Sequence, residues 1–443
     1  MKMIHAKYVY SLFISLCFSL SGRAQTVETD SLLLYYRRMA LDYNDNLKST
    51  EKNIAASMEL QRAARADFSP KIAAGANLTY TGNALQLSKE LPGIGPLSIE
   101  GKNLNYGFAA TLQQPIYTGG RILAQIKLAE SRQTIAGIQK ELVQALVCYQ
   151  VDVQYWNTVA RKEMVQVAAD FRNSIAELTR TVKERVEAGL TDSQALLTAE
   201  VQLNEAEYRL LQAQSDLETG LMALNALIGA PLDTQTPVSN EVQSLPVSTA
   251  SVLMNEKTDV TLLRPETRIA REQVTMAQHS LKLNNSKYLP QLQVGLSGGY
   301  YAPGYDFKSD LSPNYQVYAS LSVPLFEGGK RRREKNAAKY QIGMAEDQLH
   351  QKQIEVNLEV QTARTAFCQA LQRMELAMRS LGKARTNEFQ ALDKYEEGLL
   401  SITEVIDAQV YRQTAEINHV AAKVASQMHY AEWLKAVHQY EIE

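Results

Sequence analysis

Residues 114–122 read QPIYTGGRI and residues 323–331 read VPLFEGGKR, one Pro-aliphatic-aromatic-x-Gly-Gly-basic phrase used twice at an offset of 209. Each copy ends a segment of strict alternation. Leu104, Tyr106, Phe108, Ala110 and Leu112 alternate with small or polar residues, as do Tyr315, Val317, Ala319, Leu321 and Val323. Each segment has an upstream partner: Ile72, Ala74, Ala76, Leu78 and Tyr80 after Pro70, and Leu292, Val294, Leu296 and Tyr300 after Pro290. Period two gives a strand one apolar face and one wet face. Four such strands of about ten residues fit a bilayer-crossing barrel, although a half-buried strand in a soluble sheet is the commoner source of the pattern.

Behind each Gly-Gly lies a long stretch without proline. From Gly120 to Gly189 and from Gly329 to Gly398 the chain advances 69 residues, with Gly137 inside the first stretch and Gly343 and Gly382 inside the second. In the first, Leu146, Tyr149, Val153, Trp156, Ala160, Met164, Val167 and Phe171 recur at three- and four-residue steps, which predicts a coiled-coil-like seam. Each stretch predicts a helix of roughly 100 Å at 1.5 Å per residue. Glu-Ala-Gly-Leu at 187–190 and Glu-Glu-Gly-Leu at 396–399 predict reversals, because glycine supplies the left-handed turn that ends a helix. Asp192 and Ser401 follow as caps of returning helices.

Shorter helices over residues 31–66 and 265–287 lead into the strands, with Pro265 placed as a first helical residue. Residues 229–260, rich in Pro, Ser and Thr, link the halves. The chain thus divides into two repeats. Residues 25–236 hold a strand hairpin at 71–114 and a helical tip near 189; residues 237–443 hold a strand hairpin at 291–323 and a tip near 398. The first distal loop, 82–103, is longer than its counterpart. Four strands cannot close a barrel, and an open strand edge in lipid is excluded. The chain must share its barrel with copies of itself, in a ring of two or three.

Composition excludes more than it assigns. A net charge of −2 offers nothing to nucleic acid. Lys2, Lys7, the apolar run 9–20 and Gly22-Arg23-Ala24 predict an export signal over residues 1–24, too short in its apolar part to span a bilayer. No later run is long and apolar enough for a transmembrane helix. Cys148 and Cys368 fall at heights about 16 Å apart on their helices, which excludes a disulfide. The nearest approach to a phosphate loop, from Gly95 to Asn103, has the wrong length and lacks the Ser or Thr. His419, His429 and His438 lack metal-ligand spacing. With no nucleophile–base set either, no catalytic, metal or cofactor site is expected. The basic run Lys330, Arg331, Arg332, Arg333 and Lys335 follows the second strand pair, where long cations snorkel to headgroups.

In the order and spacing of these features the chain resembles the TolC family of outer-membrane efflux proteins, over essentially its whole mature length. The resemblance implies an α+β membrane protein: a homotrimer whose twelve strands form a β-barrel in the outer membrane of a Gram-negative bacterium and continue as a long periplasmic α-helical barrel, a coiled-coil tunnel. It implies a passive exit duct for small toxic molecules, joined through a periplasmic adaptor (membrane fusion) protein to an inner-membrane RND or ABC pump. The alternative is the exit duct of a type I protein secretion system, and a weaker one a periplasmic structural coiled coil. The repeated phrase becomes the hinge from barrel strand to tunnel helix, at Pro115, Gly119 and Gly120 and at Pro324, Gly328 and Gly329. Glu404 and Asp407 match the family's acids at the pore constriction; one helical turn apart, they share a face, and a ring of them favours cations. Tyr395 matches a gate-latch tyrosine. Leu400 and Ala195 replace the arginine and acid of that latch, leaving Asp192 and Thr403 as polar alternatives. Gly189, Leu190, Gly398 and Leu399 stand at the tips that contact the adaptor.

Overall fold

The computed structural model describes residues 30–82, 86–91, 93, 95–246, 260–304 and 310–440; the expected export signal at 1–24 lies outside them. The chain runs α1 (Ser31–Tyr43), α2 (Asp45–Ala66), β1 (Lys71–Tyr80), β2 (Gln86–Leu91), β3 (Gly95–Glu100), β4 (Leu104–Tyr117), α3 (Arg121–Glu187) and α4 (Ser193–Ile228). After a short 3-10 turn (Val260–Leu262) come α5 (Pro265–Ser286), β5 (Gln291–Ala302), β6 (Ser312–Ser322), α6 (Lys330–Glu396) and α7 (Ile402–Val437). Both long helices, α3 and α6, have 67 residues. The chain forms two compact units, and each draws on both halves of the sequence. One comprises Ser49–Lys140 and Pro265–Gln353; the other comprises the chain up to Lys48, Glu141–Arg264 and the chain from Ile354.

The first unit carries the sheet. Its strand order is β1-β4-β5-β6, antiparallel throughout, with β1 and β6 at the edges. The register aligns the alternating residues: Ile72 faces Leu112, Leu112 faces Leu296, and Leu292 faces Leu321. One apolar face therefore crosses all four strands. Its side chains are bare, with Ile72, Leu78, Tyr80, Tyr315 and Val317 all more than 70 % exposed. An antiparallel sheet ordinarily turns its apolar face to a core; a face left open over this length is that of a strand in lipid. The distal loop 82–103 holds more order than a loop. Within it β2 and β3 pair as a separate antiparallel ribbon, Gln86 facing Glu100.

The second unit is helical. Its largest core joins Tyr36 and Ala40 of α1, Val151, Tyr155 and Val159 of α3, and Leu224 and Ile228 of α4. The buried line on α3 differs from the predicted seam. Trp156 and Phe171 are buried, but Leu146 is exposed and Tyr149, Val153 and Val167 are half-buried. This helix is apolar over a wide arc, so three- and four-residue steps also link the neighbouring line through Val151, Tyr155 and Val159. Spacing alone does not choose between them.

Asn44 splits the leading helix predicted as unbroken over 31–66. It adopts an extended ψ of 118°, and its side-chain oxygen accepts a hydrogen bond from the Leu47 amide, capping α2. Buried ion pairs pin the unit. Arg37 donates from Nε and Nη2 to the two oxygens of Asp152, each at 2.7 Å, and Lys423 pairs with Glu163, which also accepts from the Val242 amide. Cys148 is buried and Cys368 half-buried; both thiols are free, in different clusters. No described helix is long and apolar enough to cross a membrane.

Candidate functional site

The tips of the two long helices are built alike. The Leu190 amide bonds the Arg185 carbonyl and the Leu399 amide bonds the Lys394 carbonyl, closing each last turn. Gly189 and Gly398 take φ of +72° and +77°, where a side chain is strained. The reversals leave Leu190 and Leu399 exposed at the surface. Asp192 then caps α4 by accepting from the Gln194 amide. Its carboxylate therefore has a structural task there.

Between the tips lies a small apolar core. Tyr395 is buried against Leu178, Val182, Val405 and Ile406, and both Ala195 and Leu400 pack half-buried on the same cluster. The Tyr395 hydroxyl is buried with no hydrogen-bond partner among the described residues. The polar brace comes instead from Arg185, which sequence reasoning missed. Its guanidinium donates to the carbonyls of Tyr395 and Glu396, at 3.0 and 2.9 Å, and lies 4.6 Å over the Tyr395 ring. A cation is favoured at a helix C-terminus, where unpaired carbonyls gather. Arg185 thus serves the end of α6 from the end of α3. The available signal was a basic residue in the last turn of each long helix.

Glu404 and Asp407 are both exposed on α7 and begin a stripe that continues through Tyr411, Thr414 and Asn418 at heptad spacing. They are not equivalent. Glu404 closes a capping box: its carboxylate accepts from the Ser401 amide and hydroxyl, each at 2.8 Å. The Ser401 amide, then its hydroxyl, holds the Glu404 carboxyl below its ordinary value. Asp407 makes no hydrogen bond or ion pair among the described residues, so its charge faces solvent. Farther along α7, Arg412 is buried between Glu388 at 2.6 Å and Glu416 at 2.9 Å, and Arg385 reaches Glu416 at 3.1 Å.

At the hinges, Gly119 and Gly120 have φ of +61° and +79°, and Gly328 and Gly329 +58° and +78°. This left-handed pair, open to glycine at no steric cost, turns strand into helix, which starts at the next residue in both copies. Pro115 lies inside β4, beside a bulge that ends at Tyr117, whereas Pro324 follows the end of β6. A Cβ on Gly119 would fall 2.7 Å from Leu289 and from the Ser286 carbonyl; Gly328 has nothing within 4 Å. Lys330, Arg331, Arg332, Arg333 and Lys335 are all exposed. The near-phosphate-loop segment is in part strand β3.

A bare apolar sheet followed, in each half, by a left-handed hinge and a helix of this length defines a channel protein of the outer membrane. The model of the outer membrane efflux protein family matches residues 37–230 and 260–432, and the chain belongs to that family. It is 21 % identical over 402 residues to the solvent efflux pump outer membrane protein SrpC of Pseudomonas putida, covering 87 % of this chain and 81 % of SrpC. It is 23 % identical over 413 residues to the outer membrane protein TolC of Escherichia coli strain K12, covering 88 % and 78 %. Its fold matches the solved structure of CusC with a TM-score of 0.76 at 17 % identity, over 95 % of both chains. The chain is therefore a transport duct of the outer membrane and not an enzyme, as its sequence led one to expect.

Proposed function

We propose that three copies of this chain close a twelve-stranded barrel in the outer membrane and extend a helical tunnel into the periplasm. The assembly is a passive exit duct for small toxic molecules, supplied by an inner-membrane pump through a periplasmic adaptor. The observation that carries this reading is the sheet itself: four strands, an apolar face open across all of them, and two unpaired edges that lipid does not tolerate. A second bare line supports the ring. Leu197, Val201, Tyr208 and Leu211 stand exposed on α4 at heptad-compatible spacing, the pattern of a helix awaiting a neighbour. Likeness to a solvent efflux pump protein supports small apolar cargo.

Within the duct, the repeats 25–236 and 237–443 each supply one strand hairpin and one helical hairpin. The exposed tips at Gly189, Leu190, Gly398 and Leu399 are the adaptor contacts. Asp407, with Glu404 beside it, lines the constriction, and Tyr395 with Arg185 holds the tips together. The role in efflux is tested by deleting the gene and measuring retention of an apolar dye and tolerance of toluene. Retention should rise and tolerance fall, with both restored by the wild-type chain. Unchanged retention and tolerance, in cells shown to have expressed the protein, would exclude small-molecule efflux and leave polypeptide export.

A further inference from the structure

The face of the sheet away from the apolar one runs in rows, because residues paired across neighbouring strands point the same way. Ala73, Thr111, Ser297 and Gln316 make one row across β1, β4, β5 and β6. Small, hydroxyl and amide side chains fill most of the others. Among the described residues the only charged group on this face of the four strands is Lys71, at the hinge end, and it pairs with Asp67 at 2.9 Å. Two large side chains stand on the same face, Tyr318 on β6 and Tyr301 on β5. Each is paired with a glycine of the neighbouring strand, Gly295 and Gly107.

Both rings are laid over their glycines instead of rising from the sheet. A Cβ on Gly295 would overlap the Tyr318 ring, and one on Gly107 would fall 2.7 Å from Tyr301 Cδ1. The Gln113 side-chain amide donates to the Tyr318 hydroxyl at 3.2 Å, so the ring crosses β5 and is tied down on β4. The covered glycines are buried on a sheet that is otherwise open. Gly107 is the one buried position of β4, and in β5 only Gly295 and Ala302 are buried. An aromatic ring lies flat across a strand where the residue beneath it has no side chain. The two seats are about 20 Å apart along the strands.

We propose that this face lines an uncharged bore, kept clear by Tyr318 seated on Gly295, which admits molecules by size and not by charge. The inference rests on the closed ring proposed above and adds what its barrel selects. Rings of charged side chains give a pore its ion preference, and beyond the compensated Lys71 these strands bring none to the bore. Hydroxyl and amide groups carry no net charge with which to prefer an anion or a cation. Sorting by charge is thus left to Glu404 and Asp407 at the helical tips. The size limit has a named control. With a side chain at position 295 the Tyr318 ring has to lift from the wall, and lifted rings on every copy narrow the bore.

Cysteine labelling from outside intact cells tests the bore, with methanethiosulfonates that carry an ammonium, a sulfonate or a neutral hydroxyl on one short stem. The wild-type chain, whose Cys148 and Cys368 are free, is the blank. Gln316→Cys should react with all three, its cation-to-anion rate ratio within about three-fold of that of a free thiol, since an uncompensated charge close by would displace it further. A larger displacement overturns the charge-blind bore, and no reaction at Gln316→Cys overturns the open one. Val317→Cys, on the apolar face, should react with neither charged reagent; if both reach it, the barrel reading itself fails. The seat is tested on the hinge side of the ring. In Gly295→Val a maleimide on a polyethylene glycol chain should reach Ser320→Cys several-fold more slowly, relative to Gln316→Cys, and adding Tyr318→Ala should restore the ratio. An unchanged ratio, or one that Tyr318→Ala does not restore, overturns the seat.

Discussion

In the helical unit the buried charges find partners in their own chain: Arg37 with Asp152, Lys423 with Glu163, Arg412 with Glu388 and Glu416. In the sheet unit the reverse holds. Apolar side chains that a folded chain ordinarily hides stand in the open, and two strand edges have no partner among the described residues. Charges taken out of water need compensation at once, whereas an apolar face can wait for lipid and an edge for another copy. The helical unit is thus largely completed by the chain, and the sheet by its surroundings.

The contrast breaks most readily at Arg37. Arg37→Met leaves the Asp152 carboxylate buried and unpaired, which should cost about 3–5 kcal/mol in denaturant unfolding, most of it recovered by adding Asp152→Leu. A loss below about 1 kcal/mol would mean that the pair is dispensable and the unit is held by its apolar core alone. The sheet should answer to a different probe. Val317→Arg places a charge on the open face and should weaken membrane insertion by about 2–4 kcal/mol. It should leave oligomer-independent unfolding of the helices unchanged. Soluble, well-folded wild-type protein without detergent would contradict the lipid-facing assignment.

Smaller effects sharpen the account of the tips. Arg185→Ala removes two charged hydrogen bonds and a ring contact, roughly 1–2 kcal/mol, and should raise the open probability of the duct about five- to thirty-fold. Arg185→Lys, which cannot span both carbonyls in the same way, should fall between. If open probability is unmoved, Arg185 braces the fold and not the gate. Ser401→Ala should cost about 1 kcal/mol through loss of the cap. The same cap has a pH signature. Because the folded Glu404 carboxyl titrates below its ordinary value, its contribution is present above about pH 4.5 and is lost as pH falls through the lower folded value. Amide exchange in the first turn of α7 should accelerate over that acid range. In Ser401→Ala this dependence should shrink only in part, since the backbone amide that lowers the carboxyl most remains; Glu404→Gln should abolish it.

Much of this was legible in the sequence, for physical reasons that differ by element. Strand alternation has a period of two, so the apolar residues themselves set the register that brings Ile72, Leu112 and Leu296 into line. Glycine at a left-handed position has few substitutes, so both tips and both hinges could be placed to the residue. Asp192 and Ser401 were readable because a cap is local. What escaped was non-local or ambiguous. The Asn44 break hides inside a helical pattern because its cap needs only one side chain. The buried line of α3 runs beside the predicted seam on an arc too wide for spacing to resolve. Arg185 acts on carbonyls more than 200 residues away. The capping box of Glu404 was open to view, with Ser401 three residues earlier, and needed only the two residues to be taken together.

Selectivity follows from that last point. Asp407, free of partners, should govern ion preference, so Asp407→Asn should reduce cation selectivity more than Glu404→Gln, while only Glu404→Gln should also loosen the helix start.

Single-channel recording of the purified wild-type protein in a planar bilayer asks whether the chain forms a duct at all. A small, cation-selective conductance is expected from the detergent-extracted oligomer, with selectivity weakened in Glu404→Ala/Asp407→Ala. Folded oligomer that inserts and conducts nothing, in the wild type and in Arg185→Ala alike, would contradict it.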